Sequence, residues 1–222
     1  MKITAENLSK TYIGSGDDVK ALKPCSFTVE NGERIAVTGE SGSGKSTLLH
    51  LLGGLEEATG GSIKYDTLDL AKMTQNECDD FRLKNIGIVF QSFNLIPELT
   101  AYENIILPLM LQNQNIDKEY VNKIIQQLGL YDRTDHLTGE MSGGQQQKTA
   151  LARALVNRPK ILLCDEPTGN LDKQNTETVM NLIFETAKEL NITLIVVTHN
   201  ESITKRFDRI ITISDGVIGG DV

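Results

Sequence analysis

Residues 39–46 read GESGSGKS and fit the pattern G-x-x-x-x-G-K-[ST]. The preceding run at 34–38 (RIAVT) is typical of a short buried strand, and the leucine-rich run over 48–52 predicts a helix directly afterwards. In such a strand–loop–helix unit, glycines allow successive backbone N–H groups to face phosphate oxygens, and the helix N-terminus adds its dipole. The sequence therefore predicts a phosphate-binding loop for a nucleotide within an α/β fold.

Individual roles follow from the chemistry of this loop. We expect Lys45 to reach the β- and γ-phosphates, Ser46 to ligate Mg²⁺ and Thr47 to support the α-phosphate side. The other loop residues, which would bind mainly through their backbone, are Gly39, Glu40, Ser41, Gly42, Ser43 and Gly44. A guanine nucleotide is disfavoured, because the Asn-Lys pair at 122–123 lacks the aspartate of a guanine-reading motif. Tyr12, expected in the loop after the first strand, is a candidate for stacking on adenine or a structural tyrosine.

Two carboxylates follow the apolar run ILLC at 161–164, which predicts a strand buried on both faces. Asp165 and Glu166 would then lie at the carboxyl end of this strand, where open α/β sheets present their ligands. Side chains alternate along a strand, so the two groups can take different roles. We expect Asp165 in the Mg²⁺ shell and Glu166 as general base for the attacking water. A pair of solvated charges is the alternative.

Two further polar residues also follow predicted strands. His199 comes after TLIVV at 193–197 and is a candidate for contacting the γ-phosphate and orienting the water or Glu166. A purely structural histidine is the alternative. Gln91 comes after IGIVF at 86–90 and offers an amide to Mg²⁺ or to the water, although a polar strand end would look the same.

The stretch MSGGQ at 141–145 precedes an apolar helical pattern over 145–157. Ser142 with Gln145 three residues later fits a capping box, and Gly143 and Gly144 then leave unshielded N–H groups in the first turn. This arrangement predicts a second anion site at a helix N-terminus. Since one loop already surrounds the phosphates of one ATP, we expect the second site to serve a nucleotide held by another copy. Two copies facing head to tail would trap two ATP, and such a dimer closes on itself.

Charge and composition exclude several other classes. The net charge of −8 argues against broad electrostatic binding to nucleic acid or to an anionic membrane surface. The three cysteines, Cys25, Cys78 and Cys164, lack metal-ligand spacing and are expected to be reduced thiols. No apolar run approaches the roughly 20 residues of a membrane span. Any membrane role is therefore expected to come through a partner.

Taken together, the motifs resemble those of the nucleotide-binding subunits of ABC transporters. The motifs occur in family order as Walker A (GESGSGKST), the Q-loop (Gln91), the signature (MSGGQ), Walker B (ILLCDE), the D-loop (GNLD, 169–172) and the H-loop (His199). The resemblance implies a P-loop NTPase core with a mixed sheet, an antiparallel N-terminal β-subdomain and an inserted α-helical subdomain. It implies one ABC ATPase domain over 1–222, with the ATP-binding core at 1–90 and 158–222 and the helical subdomain at about 91–157. It also favours adenine stacking by Tyr12 and catalytic roles for Gln91 and His199.

Within that family, residues 93–111, 142–147 and 165–172 look most similar to exporters of macrolides, antimicrobial peptides or lipoproteins, and to the related cell-division ATPase. The resemblance implies an ATP hydrolase that uses ATP and Mg²⁺, forms a homodimer when ATP-bound and powers an integral membrane permease. It places the chain at the cytoplasmic face of the cell membrane, without direct insertion and without nucleic acid. Force transmission to a non-transporting partner and a soluble ABC-type ATPase are the alternatives.

Two residues depart from the usual family pattern. Met141 and Lys148 stand where the family usually has Leu and Arg, and lysine lacks the bidentate pairing of arginine.

A cluster of apolar residues follows Gln91. It predicts an exposed groove for a helix of the membrane partner, or else simple packing on the core. Its members are Phe93, Leu95, Ile96, Leu99 and Tyr102.

Overall fold

The computed structural model describes residues 1–14, 17–112, 115–169 and 171–219. The strands are β1 (Ile3–Tyr12), β2 (Val19–Val29), β3 (Arg34–Thr38), β4 (Gly60–Tyr65), β5 (Leu68–Asp69), β6 (Ile86–Val89), β7 (Ile161–Asp165), β8 (Thr193–Val197), β9 (Arg209–Ser214) and β10 (Val217–Gly219). The helices are α1 (Lys45–Leu52), α2 (Gln75–Asn85), α3 (Ala101–Leu111), α4 (Lys118–Gln127), α5 (Gly143–Leu155), α6 (Lys173–Glu189) and α7 (Glu201–Thr204).

The chain divides into two compact units. One consists of Met1–Arg82 with Thr193–Val222, and the other of Leu83–Ile192. These bounds group β6 and β7 with the helices of the second unit, because α5 packs against β6. A Cβ atom at Gly87 of β6 would lie 2.3 Å from the carbonyl oxygen of Ala154, so glycine permits this close approach. The core and the helical subdomain expected from the sequence have bounds that differ from those of these two units. That division stays a prediction.

An antiparallel sheet with the strand order β2–β1–β4–β5 lies in the first unit. Ile3 of β1 pairs with Val29 of β2 on one side and with Tyr65 of β4 on the other. All three side chains are fully buried, so this face of the sheet belongs to the core. The antiparallel N-terminal β-subdomain implied by the resemblance is confirmed. Strand β1 is longer than expected and ends at Tyr12, which therefore lies in the strand and not in a following loop.

The first unit also contains the strands that position the glycine loop. Strand β3 pairs in parallel with β8 and with β9, and β10 returns antiparallel to β9. Strand β8 is buried along its whole length, as its continuous apolar run predicts for a strand covered on both faces. The mixed sheet is thus confirmed. Because β3 and β8 are parallel neighbours, the glycine loop and residues 198–200 begin at the same edge of this sheet.

The second unit combines the parallel pair β6–β7 with helices α3 to α6. Helix α3 begins with a capping box between Thr100 and Glu103, and α4 is capped by Asp117. Helix α5 begins at Gly143, as the capping box at Ser142 predicts, and ends at Leu155, two residues before the end at 157 expected from the apolar pattern. Within the ranges that the structure describes, no helix is both long and apolar enough to cross a bilayer.

Candidate nucleotide site

The loop between β3 and α1 has a backbone that requires glycine at two positions. Gly39 has φ 145° and Gly44 has φ 110°, both in the region that disfavours L side chains. A Cβ atom at Gly39 would lie 2.1 Å from the carbonyl oxygen of Ile213, and one at Gly44 would lie 2.2 Å from that of Ala21. Neighbouring backbone therefore fixes the shape of the loop and excludes side chains there.

The N-terminus of α1 is open to an anion. Gly44 is its N-cap and, having no side chain, provides no cap hydrogen bond to the first turn. The first N–H groups of a helix lack partners within the helix, and they carry the positive end of its dipole. Ser46, in this turn, is exposed and available to a ligand, whereas Thr47 is half-buried.

Lys45 spans the loop. Its Nζ donates to the carbonyl oxygens of Gly39 at 3.0 Å and Glu40 at 2.6 Å, and the residue is only 7% exposed. The Ser43 hydroxyl is also buried, and among the described residues it has no hydrogen-bond partner. A buried cation and an unpaired hydroxyl in a glycine loop fit a polar ligand that carries negative charge. Glu40 and Ser41 lie on the exposed side of the loop.

Tyr12 is held beside the first turn of α1. Its hydroxyl donates to Glu56 Oε2 at 2.6 Å and lies 3.4 Å from Thr47 Oγ1. Burial and the hydrogen bond to Glu56 raise the pKa of Tyr12, so the phenol stays neutral at physiological pH. The Lys10 ammonium lies 5.1 Å from the ring centroid, and the residue remains 38% exposed. This anchoring leaves a partly exposed ring next to the phosphate loop.

The end of β7 carries the two carboxylates in different environments. Asp165 is the last residue of the strand and is buried, while Glu166 is half-buried and has φ 43°. A non-glycine residue in this region just before Pro167 is unfavourable, since proline disfavours helical backbone in the preceding residue. The turn is closed by the N–H of Gly169, which donates to the Glu166 carbonyl oxygen at 3.0 Å. Sequence analysis missed this turn, although the Glu-Pro dipeptide was a visible sign of it.

Gln91 and Glu166 are brought together beside Gly169. A Cβ atom at Gly169 would lie 3.5 Å from Gln91 Nε2 and 3.3 Å from Glu166 Oε2. The amide and the carboxylate therefore border the same small volume at the end of the β6–β7 pair. A water molecule there would have both a hydrogen-bond donor and a base within reach.

His199 lies in the first unit, directly after β8. The N–H of Thr198 donates to the carbonyl oxygen of Val37 at 3.0 Å, which extends the pairing of β3 and β8 up to the histidine. The His199 side chain is exposed. Asn200 then caps α7 by accepting from the N–H of Ser202. His199 therefore follows β8 at the same edge of the sheet at which the glycine loop begins.

The capping box at the start of α5 is confirmed. Ser142 Oγ accepts from the N–H of Gln145 at 3.3 Å, and Gln145 Oε1 accepts from the N–H of Ser142 at 2.8 Å. Both polar side chains are thereby engaged in the cap. Any anion at this terminus would meet mainly the backbone N–H groups of Gly143 and Gly144, whose missing side chains leave the turn uncovered.

A shallow cavity of about 300 Å³ opens at this helix terminus. It is lined by α5 and by the start of α6, where Asp172 caps the helix by accepting from the N–H of Asn175. Lys148 also lines the cavity and supplies positive charge one turn into α5. The contribution of α6 was not expected from the sequence, because it depends on packing between distant residues. Asn170 of the GNLD stretch lies outside the described residues.

These features define the class of protein. A glycine loop between strand and helix, an amide–carboxylate pair after two strands and a second glycine-rich helix terminus are the parts of an ATP-binding cassette. A family model described as ABC transporter matches residues 22–169. The chain belongs to the ABC transporter family, and it is an ATP-binding protein and ATP hydrolase of the ABC type.

Particular relatives cover nearly all of the chain. It is 41% identical over 217 residues to the lipoprotein-releasing system ATP-binding protein LolD of Koribacter versatilis, covering 95% of this chain and 96% of that protein. It is 40% identical to the macrolide export ATP-binding/permease protein MacB of Rhodopirellula baltica, covering 97% of this chain and 32% of that protein. A dimeric structure of the ATP-binding cassette MJ0796, in a post-hydrolysis state bound to ADP and Pi, is 35% identical with a TM-score of 0.92, covering 99% of this chain and 97% of that chain.

Proposed function

We propose that the chain forms a head-to-tail homodimer around two ATP molecules and drives a membrane permease by hydrolysing them. The observation that carries this proposal is the uncovered N-terminus of α5, which offers glycine N–H groups to an anion although the loop before α1 already provides a complete phosphate cradle. A second anion-binding site on one chain is explained if it binds the nucleotide that another copy holds. The dimeric relative bound to ADP and Pi supports this arrangement.

In this proposal, each ATP binds to the glycine loop of one copy. Lys45 neutralises the β- and γ-phosphates, exchanging its bonds to neutral loop carbonyls for bonds to negatively charged phosphate oxygens. The N–H groups of α1 complete the cradle, and the exposed ring of Tyr12 stacks on adenine. The signature residues of the other copy, Ser142 to Gln145, then contact the γ-phosphate.

We assign the hydrolysis of ATP to the polar residues that follow the ends of β6, β7 and β8. Glu166 accepts the proton of the attacking water, and Gln91 orients that water through its amide, because both border the volume beside Gly169. His199 contacts the γ-phosphate and helps to orient the water. Release of the γ-phosphate removes the group that holds the two copies together, so the dimer opens.

Mg²⁺ fits the donor set of the proposed site. Ser46, Asp165 and Gln91 offer hydroxyl, carboxylate and amide oxygens, which are the hard ligands that this ion prefers. In this proposal the ion is held by few protein groups, by water and by the nucleotide phosphates. When bound, Mg²⁺ would neutralise charge on the β- and γ-phosphates.

The permease partner and the cargo are proposed from the relatives. The names of those relatives refer to lipoprotein release and to macrolide export, so we propose a complex that moves lipid-modified proteins or large apolar molecules across or out of a membrane. The chain would be attached to the membrane through the permease. Purification of the complex, followed by stimulation of its ATPase with each cargo class, distinguishes transport from mere transmission of force.

The dimer proposal is tested by Glu166→Gln. The amide cannot act as a base, so hydrolysis should fall by at least about a hundredfold while ATP binding is retained. The variant should elute as a dimer with ATP and as a monomer without nucleotide in size-exclusion chromatography with light scattering. Glu185→Gln, on an exposed part of α6, is the matched control and should behave as wild type. Wild-type turnover by Glu166→Gln, or absence of an ATP-dependent dimer, would contradict the proposal.

A further inference from the structure

The turn directly after Gln91 is strained. Phe93 has φ 60° and Asn94 has φ 48°, so two consecutive non-glycine residues occupy the left-handed region. This conformation is tolerated by asparagine but is unfavourable for a residue such as phenylalanine. The turn also contains its own hydrogen bonds, from the N–H of Phe93 to the carbonyl of Phe90 and from the N–H of Asn94 to that of Ser92. Strain of this kind persists when neighbouring groups hold it in place.

Arg153 holds this turn from the last part of α5. Its Nη1 donates to the carbonyl oxygen of Asn94 at 2.6 Å, and its Nη2 donates to that of Phe93 at 2.7 Å. The planar guanidinium can bond both carbonyls at once, whereas a lysine ammonium lacks this fork. Arg153 is half-buried, and this burial lowers the pKa of its guanidinium. Two short charged hydrogen bonds thus fix the strained turn.

Asn104 of α3 holds the far end of the same segment. The residue is fully buried, and its Oδ1 accepts from the N–H of Ile96 at 2.8 Å. Its Nδ2 donates to the carbonyl oxygens of Ile96 at 3.0 Å and Leu99 at 3.2 Å. Residues 93–100 are therefore attached to two helices, and Gln91 lies just before the attached part.

We propose that Arg153 is a positioning residue for ATP hydrolysis, which fixes the turn after Gln91 and so holds the Gln91 amide beside Glu166. The same helix carries the signature glycines at its other end, about 15 Å from Arg153, since Gly143 lies ten residues earlier on the helix. This inference rests on the proposed function of Gln91 and Glu166.

The test compares Arg153→Met and Arg153→Lys with wild type. Misplacement of a catalytic group by about 1 Å costs up to a hundredfold, so Arg153→Met should lose at least about tenfold in kcat. Its KM for ATP should stay within about twofold, because the glycine loop is untouched. Arg153→Lys keeps the charge and one bond, and should recover part of kcat. Arg158→Met is the matched control, since Arg158 makes a surface ion pair with Asp117 and should be dispensable.

Hydrogen exchange provides a readout that does not depend on activity. The N–H groups of Phe93 and Asn94 should exchange at least about tenfold faster in Arg153→Met, because the turn that protects them loses its attachment. If Arg153→Met fails to fold, the inference is tested with Arg153→Lys, by its kcat and by hydrogen exchange at the same two amides. Unchanged kcat and unchanged exchange in the folded variant, or a lowered melting temperature with wild-type kcat, would overturn the inference. A wild-type chain without ATPase activity would instead overturn the proposed function.

Discussion

Lys45 is the side chain for which we propose direct contact with the nucleotide phosphates. Its ammonium is bonded to two loop carbonyls and is nearly buried, so its charge is already inside the loop. Phosphate oxygens would replace neutral carbonyl acceptors with charged ones, which adds attraction between opposite charges to the hydrogen bonds of the ammonium. The difference between the two sets of bonds favours binding of a nucleotide.

Replacement of Lys45 by alanine should weaken ATP binding. Hydrogen bonds to charged groups contribute about 1.5–3 kcal/mol, so the Kd for ATP should rise about ten- to a hundredfold. Alanine is a good helix former, and α1 should remain intact. Equilibrium binding of a fluorescent ATP analogue measures the effect, with Lys72→Ala on the exposed surface as control. Normal affinity in Lys45→Ala would show that the nucleotide binds elsewhere.

The residues of the glycine loop could be predicted because their pattern is local. Gly39 and Gly44 have backbone conformations that the G-x-x-x-x-G-K-S pattern encodes within eight positions. The strained pair Phe93–Asn94 could not be predicted in this way. It depends on a neighbour that is distant in sequence, since Arg153 is 59 residues from Asn94. Tertiary contacts, rather than local preference, decide such conformations.

Among the elements, α5 connects two regions of the second unit. Its N-terminus carries the capping box and the uncovered glycines, and its last turn carries the arginine that holds the segment after Gln91. The start of this helix could be predicted, because Ser142 and Gln145 are three residues apart on the chain. Its packing against α3 and β6 could not, since the apolar pattern shows which face is buried but not what covers it.

The signature end of α5 should act on the nucleotide of the other copy. Ser142→Arg places bulk and charge at the helix N-terminus and should abolish hydrolysis, as should Lys45→Ala on a separate chain. Mixed dimers of the two variants contain one doubly damaged site and one intact site. Mixing should therefore restore activity to about a quarter of the wild-type rate, because half of the dimers are mixed and one site in two is intact. No recovery on mixing would indicate that α5 acts on the nucleotide of its own chain.

For the whole molecule, the apolar cluster after Gln91 is a candidate surface for a membrane partner. Of this cluster, Phe93, Leu95, Leu99 and Tyr102 are half-buried, while Ile96 is 37% exposed. The groove for a partner helix and the simpler packing on the core both stay predictions. The exposed apolar side chains of this region are Ile96 together with Met110 and Leu111 at the end of α3. We expect these to form the contact with the permease.

Substitution of Ile96 by glutamate should abolish co-purification with the permease while ATP affinity stays within about twofold. The side chain is exposed, so a charge there should disturb the interface more than the fold. Tyr131→Glu is the matched control, since Tyr131 is 69% exposed in the same unit. A pull-down from detergent-solubilised membranes, with ATP binding measured in parallel, checks both statements. Recovery of the permease at wild-type yield with Ile96→Glu would place the contact surface elsewhere.

The central claim is that ATP lies between the glycine loop of one copy and the signature of another. The most direct measurement introduces Ser41→Cys and Ser142→Cys into the Glu166→Gln chain and treats it with a short bismaleimide cross-linker. Both positions are exposed, and the Glu166→Gln chain without added cysteines controls for Cys25, Cys78 and Cys164. If ATP lies between the two copies, a covalent dimer of two 24.4 kDa chains should form with ATP and be nearly absent without it. A product that stays monomeric, or a dimer that forms equally without ATP, would contradict this arrangement.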